Sequence, residues 1–296
     1  MVSVTIRTYP DLPVIAASLN VTTSLTHIDN YWTALEEFHR HIPSINDAGG
    51  AGYYFMMPVQ ADNAISVFSA ALFFANKTEA DLADVDAVWE PMVSALNAIP
   101  NAKAEYASIP IPSMKYLVNL LLPSDADSTG FTMAIGSRLV SRDFLISSDG
   151  PKKLVDALSQ LKQMPGRSHT GHIVAGGAVA SNAGKVDSAL NPAWRRAITH
   201  ITYGYSWPST APPEEVAEVH RTITYVDGPL LRELEPDMGA YPNEADAYEP
   251  EFQKSFWGDN YWRLRLVKRK WDPKGLFIVR SGVGSEDWDE EGMCRK

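Results

Sequence analysis

Two short runs near the C-terminus carry phenol and amide side chains at close spacing. They are Tyr241-Pro242-Asn243-Glu244-Ala245-Asp246 and Phe256-Trp257-Gly258-Asp259-Asn260-Tyr261-Trp262-Arg263-Leu264. A phenol held beside a reacting group serves as a base, or orients a hydroxyl, when a cation or hydrogen bonds favour its ionised form. An asparagine amide donates and accepts hydrogen bonds at once. Structural roles compete with both readings. A buried tyrosine satisfies its hydroxyl on a backbone carbonyl, and an asparagine after proline is a common turn residue.

Other residue types point to less chemistry. His169 and His172 are three apart, which in a strand sets them on opposite faces, and His39 and His41 do not face each other on a helix; no metal site is expected. With Cys294 as the only cysteine, an internal disulfide and a two-cysteine zinc site are excluded. No Ser-His-Asp order is defensible, and Gly282-Val283-Gly284-Ser285 is not a nucleophile elbow. Gly49-Gly50-Ala51-Gly52 does not lead from a strand into a helix, so it reads as a turn and not as a dinucleotide loop. The net charge of −10 and pI near 5.2 argue against nucleic acid, whose phosphates require a basic face. No stretch approaches the ~20 apolar residues of a membrane span. Residues 1–10 alternate like a strand and have no apolar signal-peptide core, which leaves the cytoplasm as the default compartment.

The elements that must position these residues follow from hydrophobic periodicity. Val2, Val4 and Ile6 define a strand over residues 2–8. A helix is predicted over 29–42, with Tyr31, Leu35, Phe38 and Ile42 on one stripe, and strands over 53–57 and 65–75. Thr78 stands at an N-cap with Asp81 three residues on, ahead of a helix carrying Leu82, Val85, Trp89, Met92 and Leu96. Residues 105–122 are Pro-punctuated and give no assignment. A strand over 131–135 precedes a helix from Gly150-Pro151 to Leu161. Further along, a strand over 172–180, a short helix over 191–200, a strand over 201–207 and a helix over 214–233 are predicted. Arg263, Arg265, Lys268, Arg269, Lys270 and Lys274 alternate with Leu264, Leu266, Val267 and Trp271, as in an amphipathic helix with a solvated charged face. Strands and helices mix without a strict βαβ rhythm, which predicts an α+β fold, an antiparallel sheet covered by helices.

The two C-terminal runs, with Lys268, Asp272-Pro273, Phe277 and Val283-Gly284-Ser285-Glu286, resemble the C-terminal segment of berberine-bridge-enzyme-like FAD-linked oxidoreductases, especially fungal ones. Asn191-Pro192-Ala193-Trp194-Arg195, Val174 to Val179 and Gly136-Ser137-Arg138-Leu139 look like the same family's substrate domain. The resemblance divides the chain into residues 1–12, the last strand of a flavin domain; 13–236, a substrate-binding α+β domain; and 237–296, the segment that normally completes the flavin domain. It implies Tyr241 as the catalytic group, Asn243, Asn260 and Tyr261 as cofactor-binding residues, FAD as cofactor, and a small substrate of secondary metabolism that is oxidised or oxidatively cyclised. The pyrophosphate loop and the His and Cys that attach the flavin belong to the family's first half, which is absent here. The expectation is therefore a chain unable to perform the redox step alone, completed by a separate flavin-domain chain or by a second copy of itself. The alternatives are a cofactor-independent cyclase, pericyclase or dehydratase using the retained pocket, or an inactive remnant or binding protein. Apolar surface is expected where the flavin domain would pack. Phe277 to Gly282 departs from many fungal relatives, which place cysteines there.

Overall fold

The computed structural model describes residues 3, 5, 6, 8–59, 65–121, 132–162, 169–290 and 292–296. Seven strands form one open sheet: β1 (Val14–Ser24), β2 (Gly50–Met57), β3 (Ile65–Ala75), β4 (Ala102–Ile111), β5 (Met133–Ser141), β6 (His169–Ile173) and β7 (Ala197–Ser206). Their spatial order is β4-β1-β3-β2-β6-β7-β5, and each of these neighbours pairs antiparallel. The fold is thus the expected α+β class.

Alternation gives the sheet one core face. Ile15, Ala17, Leu19 and Val21 of β1 and Phe68, Ala70, Leu72 and Phe74 of β3 are buried together. Two long helices close that face. α1 (Ile28–Asp47) brings Tyr31, Leu35, Phe38 and Ile42, and α2 (Leu82–Asn97) brings Val85, Trp89, Met92 and Leu96. A single 3-10 turn, Glu79–Asp81, leads into α2, and there the backbone N–H of Thr78 donates to the Asp81 carboxylate at 2.8 Å, within a full capping box. The next helices are α3 (Met114–Leu121), α4 (Arg142–Ile146), α5 (Gly150–Gln160) and α6 (Gly177–Ser181). Leu154 and Leu158 of α5 join the same core, with Pro151 in the first turn as expected.

Several expectations are corrected. The described residues of the 2–8 segment, Ser3, Thr5, Ile6 and Thr8, form no strand; residues 2, 4 and 7 lie outside the described residues. The first strand comes after Pro13 instead. The Pro-punctuated stretch that gave no assignment holds most of β4 and all of α3. The strand expected over 172–180 ends at Ile173, because Gly176 and Gly177 take positive φ and turn the chain into α6. The helix expected over 191–200 is only a 3-10 turn, Pro192–Arg195; β7 begins at Ala197, so Thr199 and His200 belong to a strand. Gly136 to Val140 continue β5, and residue 131 lies outside the described residues.

The helix expected over 214–233 is α7 (Pro213–Thr222) and α8 (Gly228–Arg232), joined by the π turn Ile223–Asp227. The last helix, α9 (Tyr261–Trp271), keeps Arg263, Arg269 and Lys270 solvated as expected but departs from the expected pattern at Arg265 and at its apolar residues. Arg265 is buried, donating to Glu286 and Asp287 at 2.7 Å each, whereas Trp262, Leu266, Val267 and Trp271 are exposed. Two paired carboxylates make burial of the guanidinium tolerable. Among the described residues, no helix is long and apolar enough to cross a membrane.

Candidate active site

The second face of the sheet is only partly covered. Across it, strand register sets three rings in a row: Tyr53 of β2 pairs with His172 of β6, and His172 pairs with His200 of β7. Ring centroids are 5.1 Å apart for both Tyr53–His172 and His172–His200. Such spacing is what directly opposed residues on one face of an antiparallel pair provide. His169, three residues from His172, is buried on the opposite face, as its spacing required.

The berberine-type run lies over this row. Its 3-10 turn, Pro242–Glu244, brings the Glu244 carboxylate to 3.5 Å from His200 Nδ1 and 4.0 Å from His172 Nε2. Tyr241 meets His200 edge-on at 6.0 Å and Trp194 at 5.9 Å between centroids. Asn243 Nδ2 donates to the Tyr241 hydroxyl at 2.7 Å, which fixes the direction of that phenol.

Close backbone packing holds the run in place. The Leu139 N–H donates to Gly239 O and the Ala240 N–H to Ser255 O, and the Asn191 side chain donates to the same Ser255 oxygen. A Cβ at position 239 would stand 2.2 Å from Ser255 O, so this approach requires glycine. Farther along, Thr224 donates to Asp246 at 2.6 Å, and the buried Glu249 pairs with Arg138 and accepts from Ser255 at 2.8 Å. Burial pushes the Asp246 carboxyl upward despite these donors.

Beneath the row, polar groups continue through the sheet. A Cβ at Gly171 would lie 1.8 Å from the Tyr54 ring, so glycine is what lets that phenol occupy the core face. The Tyr54 hydroxyl lies 3.1 Å from His39 Nε2 and 3.2 Å from Thr199 Oγ1, and Thr199 Oγ1 donates to the backbone oxygen of His172. His39 Nδ1 stands 2.7 Å from the Leu35 carbonyl, which can only accept, so this nitrogen carries the proton. Burial lowers His39 to about 4. His200, also desolvated and beside a second imidazole, falls to about 3, and burial lowers His172 as well, against the pull of Glu244. Both site histidines are therefore neutral at physiological pH, each with one ring nitrogen able to accept a hydrogen bond.

Of the residues singled out from sequence, Tyr241 and Asn243 stand at this row. Asn260 Nδ2 donates to Leu190 O at 2.7 Å. Tyr261 is buried, with its hydroxyl 2.5 Å from Glu286 and accepting from the Gly284 N–H, so it ties α9 to the turn after it. Sequence reasoning missed His200, Glu244, Tyr53 and Trp194 as site residues. Glu244 and Trp194 stood inside quoted motifs, but the pairing of Tyr53, His172 and His200 is a property of register between distant strands.

Comparison with known proteins places the chain among flavin-linked relatives. The berberine and berberine-like family profile matches residues 240–284, the run that covers the row and continues beyond it. An uncharacterized FAD-linked oxidoreductase of Arthroderma benhamiae is 42% identical over 296 residues, covering 99% of this chain and 50% of that protein. The FAD-linked oxidoreductase malF of Malbranchea aurantiaca is 32% identical over 295 residues, covering 99% of this chain and 48% of the relative. The crystal structure of the VAO-type flavoprotein MtVAO713 from Myceliophthora thermophila superposes with a TM-score of 0.86 at 25% identity, over 98% of this chain and 52% of that one. The chain thus spans about half the length of the curated relatives it matches. Through its berberine-type run and over nearly its whole length, the chain is thus similar to the berberine-bridge-like FAD-linked oxidoreductases.

Proposed function

We propose that this chain forms the substrate-facing wall of a flavin-dependent oxidation of a small organic molecule in fungal secondary metabolism. The observation that carries this reading is the convergence of Tyr241, His172, His200 and Glu244 on a half-open face walled by Tyr53 and Trp194. The residues fit one part of FAD. Exposed ring surface at Tyr53 and Phe55 suits the face of an isoalloxazine, and Asn243, His172 and Glu244 offer the donors and acceptors that its polar edge needs. They do not fit the pyrophosphate. Gly50 and Gly52 are paired in β2 and closely packed, and form no loop around a phosphate. The phosphates would be held by a flavin-binding domain docked on the exposed apolar side of this chain, where Trp262, Leu266, Trp271, Leu276 and Phe277 stand.

Bound flavin would supply the hydride acceptor. The protein groups would position the substrate and move its proton. Asn243 occupies one lone pair of the Tyr241 oxygen, leaving the phenolic proton and the other lone pair for a substrate hydroxyl. Neutral His172 and His200, with Glu244 at 3.5 Å from the latter, offer hydrogen-bond acceptors to this hydroxyl. Trp194 and Tyr53 would limit water at the reacting face. The direct test is substrate-driven bleaching of the flavin in the assembled oxidoreductase, wild type against Tyr241→Phe. Loss of a positioned proton-transfer group is expected to slow bleaching by about 10²- to 10⁴-fold with flavin still bound. An unchanged rate in the Phe variant would remove Tyr241 from the chemistry.

A further inference from the structure

We infer that His172, His200 and Glu244 form a binding site for a divalent transition-metal ion of zinc's class. One ligand atom from each residue lies within 4.8 Å of the other two. Two imidazoles and one carboxylate, with the remaining position open, is a donor set that zinc accepts with a water or substrate atom as fourth ligand. Zinc bonds of roughly 2.0–2.2 Å put tetrahedral ligand atoms about 3.4 Å apart. His200 Nδ1 and Glu244 Oε2 are 3.5 Å apart and His172 Nε2 and the same oxygen 4.0 Å, so the triangle, whose atoms lie within 4.8 Å of one another, draws in by up to roughly 1.4 Å on binding.

The parts are suited to that closure. The two histidines are directly paired in register on β6 and β7, so the backbone sets their separation. Glu244 sits in a short turn with its side chain 40% exposed, free to swing inward. If His200 coordinates through Nδ1, its proton must sit on Nε2, and that atom is buried without a hydrogen-bond partner among the described residues. The ring, 1% exposed, therefore has no competing polar contact on that side to draw it away from the carboxylate. Because Nε2 of His200 has no outer acceptor to orient it, affinity in the micromolar range is expected, below that of a fully supported structural zinc site.

This inference does not depend on flavin chemistry, and its test uses the protein without flavin. Chain stripped with chelator would be titrated with zinc chloride against a chromogenic chelator, and with cobalt(II) chloride for the visible bands of a four-coordinate ion. The expected result is one equivalent bound per chain. His172→Ala and Glu244→Gln should each weaken binding by at least about tenfold, since outer-shell partners alone are worth that much. His220→Ala, outside the cluster, should leave binding unchanged. Glu244→Gln is nearly isosteric and half-exposed, so it decides the question even if the histidine variant fails to fold. Absence of a wild-type equivalent, or zinc retained equally by Glu244→Gln, overturns the proposal.

Discussion

His39, Tyr54 and Thr199 connect the helical core to the backbone of His172, and they make a pH-dependent contribution to stability. Burial holds His39 near 4 and His200 near 3 in the folded chain, against 6.5 for an ordinary histidine. Between those values and 6.5 the unfolded chain binds protons that the folded chain refuses. Stability is therefore complete above about pH 6.5 and declines as the pH falls toward the folded values. His39 alone should account for on the order of 3 kcal/mol between pH 6.5 and 4. Urea unfolding across that range should show a steep acid slope in the wild type and a shallower one in His39→Gln; parallel slopes would contradict the assignment. Tyr241 and Asn243 were legible from a motif. The row of Tyr53, His172 and His200 was not, because residues separated by 119 and 28 positions meet through strand register, which no local pattern encodes. His169 and His172 illustrate the difference: their spacing correctly set them apart, yet gave no hint of the partner that His172 does have.

Elements with a strong local pattern were readable. The stripe of α1 and the capping box ahead of α2 each combine a period with a chemical stop or start signal, and the structure shows both. Thr78→Ala should cost about 1 kcal/mol by removing one half of that box. Phe38→Ala should cost about 3–5 kcal/mol, since Phe38 is fully buried against Tyr54 and Phe68. Denaturant midpoints would measure both; a Phe38→Ala loss no larger than that of Thr78→Ala would contradict the packing described. Where the pattern failed, a tertiary effect prevailed. β7 begins earlier than expected because Ala197 to His200 pair with β5 and cover its end. α9 was read as burying its apolar residues, but the buried position belongs to Arg265, whose carboxylate partners lie more than twenty residues downstream in Glu286 and Asp287. A helical wheel cannot reveal such partners.

The open sheet leaves two kinds of surface, a polar row on one face and an apolar side along α9 and the turn beyond it. Trp262 is 71% exposed and Trp271 76%, the apolar surface expected where a flavin domain would pack. If this side docks a flavin-binding domain, the isolated chain should self-associate at micromolar concentration, and replacing Trp262, Leu266 and Trp271 together with serine should return it to monomers. Sedimentation velocity would show this, and a monomeric wild type would argue against it. The most direct test of the account as a whole is a titration of the purified chain with riboflavin, which carries the isoalloxazine without the pyrophosphate, followed by the visible flavin spectrum. Saturable perturbation of the flavin band, lost in Tyr53→Ala with Trp194→Ala, is the expected result, since the row is held to face the ring. A spectrum that remains that of free riboflavin throughout the titration would contradict it.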